Sequence, residues 1–237
     1  MVDRLSTCAD TSFGGTLDGR FPIVMPPVIL SLMFLLAGVG LVSAAKDSQA
    51  LAPDTLRAAA IPFFVADGAG RAGYRPGDRQ LAAWALAAWQ RSAGPALRFA
   101  PAPEKQALLR IYWADPAEGQ YGEMQPFMLG GQRGAALHIR PNTAALGPDI
   151  ARQTRADPLL RDTIVYLTCL HELGHALGLR HTDAFDEIMY SFQYGGDLVE
   201  YFSRYRRQLK SRADIATVSG LAATDIEHVR ALYTPGR

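Results

Sequence analysis

The sequence has almost no excess charge of either sign: 24 lysines and arginines stand against 23 aspartates and glutamates, a formal net charge of +1. That balance gives no footing for nucleic acid or an anionic surface as a partner. Cysteine is nearly absent. Cys8 and Cys169 are the 2 present; with the N-terminus removed, Cys169 would be alone and no intramolecular disulfide could form. Internal repeats and low-complexity tracts are missing as well. What remains is an ordinary globular composition, 49% hydrophobic and 20% charged over 237 residues. That suits one domain of about 150–200 residues with an additional segment.

Charge is missing altogether from Phe21 to Ala45, "FPIVMPPVILSLMFLLAGVGLVSAA". The apolar run Val28–Val42 has the length of a signal-peptide core and is short for a membrane span. Ser43-Ala44-Ala45 and Val42-Ser43-Ala44 both offer small-residue cleavage sites. The region ahead of the run carries Asp3, Asp10 and Asp18 against Arg4 and Arg20, where a signal peptide wants positive charge. Translation from Met25, or retention of the segment as an anchor, would each reconcile this. Pro22, Pro26 and Pro27 speak against a buried helix of the folded domain. Residues 1–45 are therefore expected to be a signal peptide or membrane anchor, which makes the remainder extracytoplasmic, either secreted, periplasmic or anchored by residues 21–45.

Residues 46–73 are expected to be a linker holding a first strand, Ile61–Val65, before a Gly-rich turn. From Pro76 the pattern turns helical, with Asp78 as the expected N-cap and Leu81, Trp84, Ala85, Ala88 and Trp89 at helical spacing. The tryptophans read as apolar anchors for that helix rather than as a binding platform. Gly94-Pro95 ends it. Short strands are expected at Ala96–Ala100, Leu108–Ala114 and Ala135–Ile139, the last after a Gly-rich loop. His138 in that strand reads as structural. Asp157-Pro158 opens a helix over about 159–177 that Gly178 stops. Leu198, Phe202, Tyr205 and Leu209 mark one face of a further helix, with Arg204, Arg206, Arg207 and Lys210 read as a solvated basic face. A last helix, about Ala223–Leu232, is expected with Thr224 as its cap.

Histidine is scarce too, and its distribution is the strongest signal in the chain. Of 5 histidines, 3 fall within 11 residues, His171 to His181. His171 and His175 are one helical turn apart, so both imidazoles leave the same face and can bind one Zn²⁺ at about 2.0–2.1 Å. Glu172 leans towards the same place and is the residue type a general base requires. Gly178 lets the chain leave the helix where a Cβ would be resisted, and the turn returns His181 as a third ligand. Three ligands leave a fourth position for water, the arrangement of a catalytic zinc, whereas a structural zinc closes its shell with a fourth side chain.

The pattern His171-Glu172-x-x-His175-x-x-Gly178-x-x-His181 resembles the zinc signature of the metzincin endopeptidases, and within them the matrixins. Met189 in "EIMYS" resembles their Met-turn, with Tyr190 following it as in matrixins. Ser191 stands where astacin-like and serralysin-like members carry a metal-binding tyrosine. "WALAAWQRSAGPALRF" and "LAATDIEHVRALY" are similar to the first helix and strand and to the closing helix of a matrixin domain, so the likeness spans residues 74–233 within an expected domain of 74–237. The resemblance implies an α+β fold: a twisted sheet of about five strands, an active-site helix crossing under a cleft, and a smaller part after Gly178.

It also implies a zinc endopeptidase acting on protein or peptide substrates, with one catalytic Zn²⁺ held by His171, His175 and His181. Glu172 would be the general base, with Gly178, Met189 and Tyr190 in support. Extended substrate would lie on an exposed edge strand near Ala135–Ile139. Met189 would form an apolar floor, and Cys169 would point into the core. Cys8 lies outside any inhibitory cysteine motif, so latency through it is not expected. With His138 and His228 as the other histidines, a second structural zinc is not carried over. Calcium is compatible with the sequence, but no residue pattern assigns it a site. Ser191 replaces the proline of the matrixin pocket wall and the tyrosine is displaced to Tyr194, so subsite preference is not inherited. Two other classes compete: an inactive binding module, which the intact Glu172 and histidines oppose, and a membrane-tethered factor recruiting a partner through residues 198–212.

Overall fold

The computed structural model describes Leu51, residues 60–117 and residues 121–233. The apolar run of 21–45, its cleavage sites and Cys8 lie outside them. Among the described residues no helix is long and apolar enough to cross a membrane.

The first strand, β1 (Ile61–Val65), stands where its apolar run placed it. Helix α1 (Asp78–Ala93) follows, burying Leu81, Ala82, Ala85, Leu86, Ala88 and Trp89. Trp89 is fully buried and its indole N–H donates to Leu170 O at 2.9 Å, so it is an anchor as expected. Trp84 is half-buried, with the Arg212 guanidinium 5.0 Å above its ring. Asp78 does not cap α1. Gly77 holds that position without a side-chain bond. The Asp78 carboxylate is instead buried against Arg161, which also donates to Gly73 O at 2.6 Å and Pro141 O at 3.2 Å. A buried guanidinium must be paired, and that demand displaced the cap.

Strand β2 (Phe99–Pro101) is shorter and later than expected, because Leu97 is buried ahead of it. Strand β3 (Leu109–Trp113) alternates buried and half-buried residues as its sequence does. The Gly-rich stretch expected to be a loop contains a strand, β4 (Gly122–Leu129), paired antiparallel with β5 (Gln132–Ile139). Gly130 and Gly131, at φ 55° and 81°, form the two-residue turn between them; only glycine accepts both angles cheaply. The sheet runs β2-β1-β3-β5-β4, parallel except for the β4–β5 pair. β5 is therefore internal, not the exposed edge expected near Ala135–Ile139 to receive substrate; the edges are β2 and, beside β5, β4. Pro126 and the exposed Glu123 and Gln125 are tolerated there because an edge strand has one neighbour.

A helix that sequence periodicity did not announce, α2 (Pro148–Ala156), precedes α3 (Pro158–Ala176). Asp157 caps α3 by accepting from Leu159 and Leu160 N–H at 3.0 and 3.2 Å. After a irregular stretch, α4 (Leu198–Arg206) buries Tyr201, Phe202 and Tyr205 and stops short of Leu209, which is buried beyond its end. The last helix is α5 (Ala223–Tyr233). Thr224 lies inside it rather than capping it. Asp225 reaches back to Ala222 N–H at 2.8 Å, the carboxylate half of a capping box. The architecture is α+β: a five-stranded mixed sheet with helices packed on it.

Candidate metal centre

The cap at Asp157 fixes where α3 begins, and its buried stripe, including Ile164, Leu167, Leu170 and Leu173, fixes which face meets the core. His171 and His175 consequently share the face left towards the cleft. The helix ends in a reciprocal pair of bonds, Gly178 N–H to His175 O at 3.0 Å and Leu179 N–H to Gly174 O at 2.9 Å. That closure places Gly178 at φ 97°, the left-handed region that the Schellman motif needs. The chain turns back, and His181 arrives beside the helix. Thr182 N–H to Met189 O at 3.0 Å and Ser191 N–H to Thr182 O at 3.1 Å then tie its neighbour to the methionine turn.

The imidazoles converge. His181 Nε2 lies 3.3 Å from His171 Nε2 and 3.0 Å from His175 Nε2. Two nitrogens at about 2.0–2.1 Å from one tetrahedral zinc are roughly 3.4 Å apart, so this set fits zinc with little adjustment. Their tautomers fit as well. His171 Nδ1 lies 2.7 Å from Ile188 O and His175 Nδ1 3.0 Å from Leu179 O. A carbonyl only accepts, so both rings carry hydrogen on Nδ1 and present a lone pair at Nε2. Burial, then His175 and His181, lowers the His171 pKa to about 3, keeping that ring neutral. Among the described residues these three form the one cluster of metal-donor side chains.

Glu172 is 4% exposed and lies beside them. Burial, reinforced by Glu123 and opposed by Arg140, pushes its pKa up to about 8, near the range where a carboxyl group exchanges protons at neutral pH. Its seat depends on Gly122 at the start of β4, where a Cβ would stand 2.6 Å from Glu172 Oε1. Met189 is buried under α3, and Gly174 makes room for it: a Cβ there would meet the thioether sulfur at 2.3 Å. A cleft of about 510 Å³ opens over the histidines and Glu172, walled by Tyr121–Met124 on one side and by Ser191–Gln193 and Leu198 on the other.

The other residues singled out in the sequence lie outside the cleft lining. Tyr190 is buried in an aromatic cluster, its hydroxyl donating to Gly195 O at 2.8 Å, and does not line the cleft. Tyr194 is 57% exposed outside the cleft wall. His138 stacks on Tyr112 at 5.6 Å, apart from the three histidines, and His228 is exposed. Cys169 is fully buried, and burial drives its thiol pKa upwards. The basic face of α4 is solvated only in part. Arg204 donates to Phe185 O and Glu187 O, Arg206 pairs with Asp157, and Arg207 pairs with Glu200 in solvent. The aromatic surface beside α4 attracts the Arg204 guanidinium, which sits 4.4 Å over the Tyr201 ring.

Six wall residues have no counterpart among the sequence expectations: Phe192 and Gln193 on one side, and Tyr121, Gly122, Glu123 and Met124, the start of the β4–β5 hairpin, on the other. The Gly130-Gly131 pair was the available signal, since two glycines between runs mark a hairpin. Tyr201 and Asp225, which grip the methionine turn, left no local signal. The matrixin family model matches residues 75–201, more than half of the chain. No curated protein matches it.

Proposed function

The chain belongs to the matrixin family, and from that premise we propose that it is a zinc-dependent endopeptidase that uses Glu172 as general base. One observation carries this reading: three imidazoles bring Nε2 to a common point at the floor of an open cleft, with a buried carboxyl group beside them. His171, His175 and His181 would hold a zinc ion, which when bound would supply the Lewis acidity that acidifies water and polarises a scissile carbonyl. Glu172 accepts the proton of the attacking water as the new C–O bond forms. It then delivers that proton to the departing amine as the C–N bond breaks. The edge strand β4 offers backbone groups to an extended chain, which orients the scissile bond along the cleft.

The histidine tautomers held by Ile188 O and Leu179 O, and the low exposure of Glu172, support this reading over a binding module that has lost its chemistry. Recruitment through residues 198–212 is disfavoured by the internal engagement of Arg204 and Arg206. Residues 1–45 are proposed to direct or anchor a domain of residues 74–237 outside the cytoplasm. The test is cleavage of an unfolded protein by the full chain, with Glu172→Ala run beside it at equal zinc content. Turnover that falls by at least about 10²–10⁴-fold in the variant is the expected result. Zinc bound to both with cleavage by neither would refute the peptidase reading.

A further inference from the structure

Resting on the zinc reading above, we propose that Tyr201 is a positioning residue for the metal ligand His171, acting through the backbone carbonyl of Ile188. Tyr201 lies on α4, 30 residues downstream of the histidine it serves. Its hydroxyl is 3.1 Å from Ile188 O and 3.2 Å from Glu187 O. Ile188 O is also the acceptor of His171 Nδ1–H at 2.7 Å. A carbonyl oxygen has two lone pairs, so one atom can receive both the ligand's hydrogen and the tyrosine's.

The grip is two-sided. Asp225 takes Ile188 N–H at 2.9 Å. The peptide unit joining Glu187 and Ile188 is thus held by a carboxylate at its N–H and by the phenol at its carbonyl, and the same phenol reaches the next carbonyl, Ile188 O. Tyr201 is itself fixed: it is 3% exposed and packed edge-on between Phe185 and Phe192, with the Arg204 guanidinium 4.4 Å over its ring. Arg204 donates to Phe185 O and Glu187 O, bracing the same turn. The consequence is geometric. The phenol fixes the direction in which Ile188 O faces, and Ile188 O fixes the plane of the His171 ring and hence the aim of Nε2. Outer partners of metal-bound histidines act on affinity in this way.

Tyr201→Phe in the full chain removes the hydroxyl and keeps the ring. Tyr205→Phe is the matched control: it lies on the same helix and loses a comparable bond, to Val218 O at 2.6 Å, away from the methionine turn. Zinc dissociation constants are measured for both by competition with a chromophoric chelator, alongside the visible spectra of the cobalt-substituted proteins. Tyr201→Phe is expected to weaken zinc about tenfold and to shift the cobalt absorption bands, with Tyr205→Phe matching the parent in both. Equal affinity and unchanged spectra in Tyr201→Phe, or the same loss in both variants, would overturn the assignment. A parent that binds no zinc would overturn it together with the proposed function. A parent that binds zinc but cleaves nothing would remove the peptidase reading alone, since the affinity difference is read without turnover.

Discussion

Upstream of Gly178 the chain holds itself by repeating backbone ladders, the five-stranded sheet and helices α1 and α3. Downstream, the described backbone between Leu179 and α4 has one isolated bridge, Thr182–Tyr190, and a short 3₁₀ turn at Phe192–Tyr194. Side chains replace the ladder there. Tyr201 and Arg204 reach carbonyls of residues 185–188, and Asp225 takes Ile188 N–H. The first region delivers two imidazoles and the carboxyl group from one rigid helix. The second delivers the third imidazole from a loop whose shape depends on a handful of individual side chains. In a ladder many equivalent bonds share the load, so single substitutions are diluted; in the second region each polar side chain carries a larger share of the site's geometry.

That contrast can be broken experimentally. The largest effect on stability is expected at Arg161→Ala in the first region. It strands the buried Asp78 carboxylate and should cost about 3–5 kcal/mol, read from the urea midpoint, with zinc affinity of the folded protein unchanged. Asp225→Ala in the second region leaves the N–H groups of Ile188 and Ala222 without their acceptor. It should cost about 2–3 kcal/mol and weaken zinc as well. If calorimetry and zinc titration showed the two variants behaving alike, the distinction between the regions would be lost.

Where the regions touch, Gly174→Ala drives a Cβ into the Met189 sulfur. The thioether end is flexible, so about 1–3 kcal/mol of destabilisation is expected, visible as a lower thermal midpoint. Gly122→Ala instead crowds Glu172 from the edge strand. Its expected signature is a fall in kcat of about tenfold, the size of a barrier increase near 1.4 kcal/mol, with zinc content retained. The smallest effect is expected at Arg207→Ala, an exposed partner of Glu200; its melting curve should overlay the parent's.

What could be read from the sequence followed the same division. The convergence of His171, His175 and His181 past Gly178, with Glu172 beside them, was legible because helical spacing and one helix stop are local features of the sequence. β1 and β3 were legible because they are interior strands with apolar residues in succession or alternation. β4 was not: an edge strand with Pro126 and exposed Glu123 and Gln125 need not alternate, so only its Gly-Gly turn betrayed it. Asp78 was misassigned as a cap because its partner Arg161 lies 83 residues away. Thr224 was misassigned as a cap in the same way, since Asp225 serves both its own helix and Ile188, 37 residues upstream. Tyr201 was not among the residues marking the apolar face of its helix, and its hydroxyl acquires meaning only once the methionine turn folds beside it. Long-range polar partners have no period, and they are what a linear reading misses.

The central claim is that both regions meet on one zinc ion whose fourth position is left to water rather than filled by a side chain. X-ray absorption at the zinc edge of the zinc-loaded full chain tests it most directly. One zinc per chain is expected, with three imidazole nitrogens at about 2.0–2.1 Å and one further light-atom ligand. A sulfur at about 2.3 Å, as Cys8 would supply, or a site with fewer than three imidazoles, would contradict it.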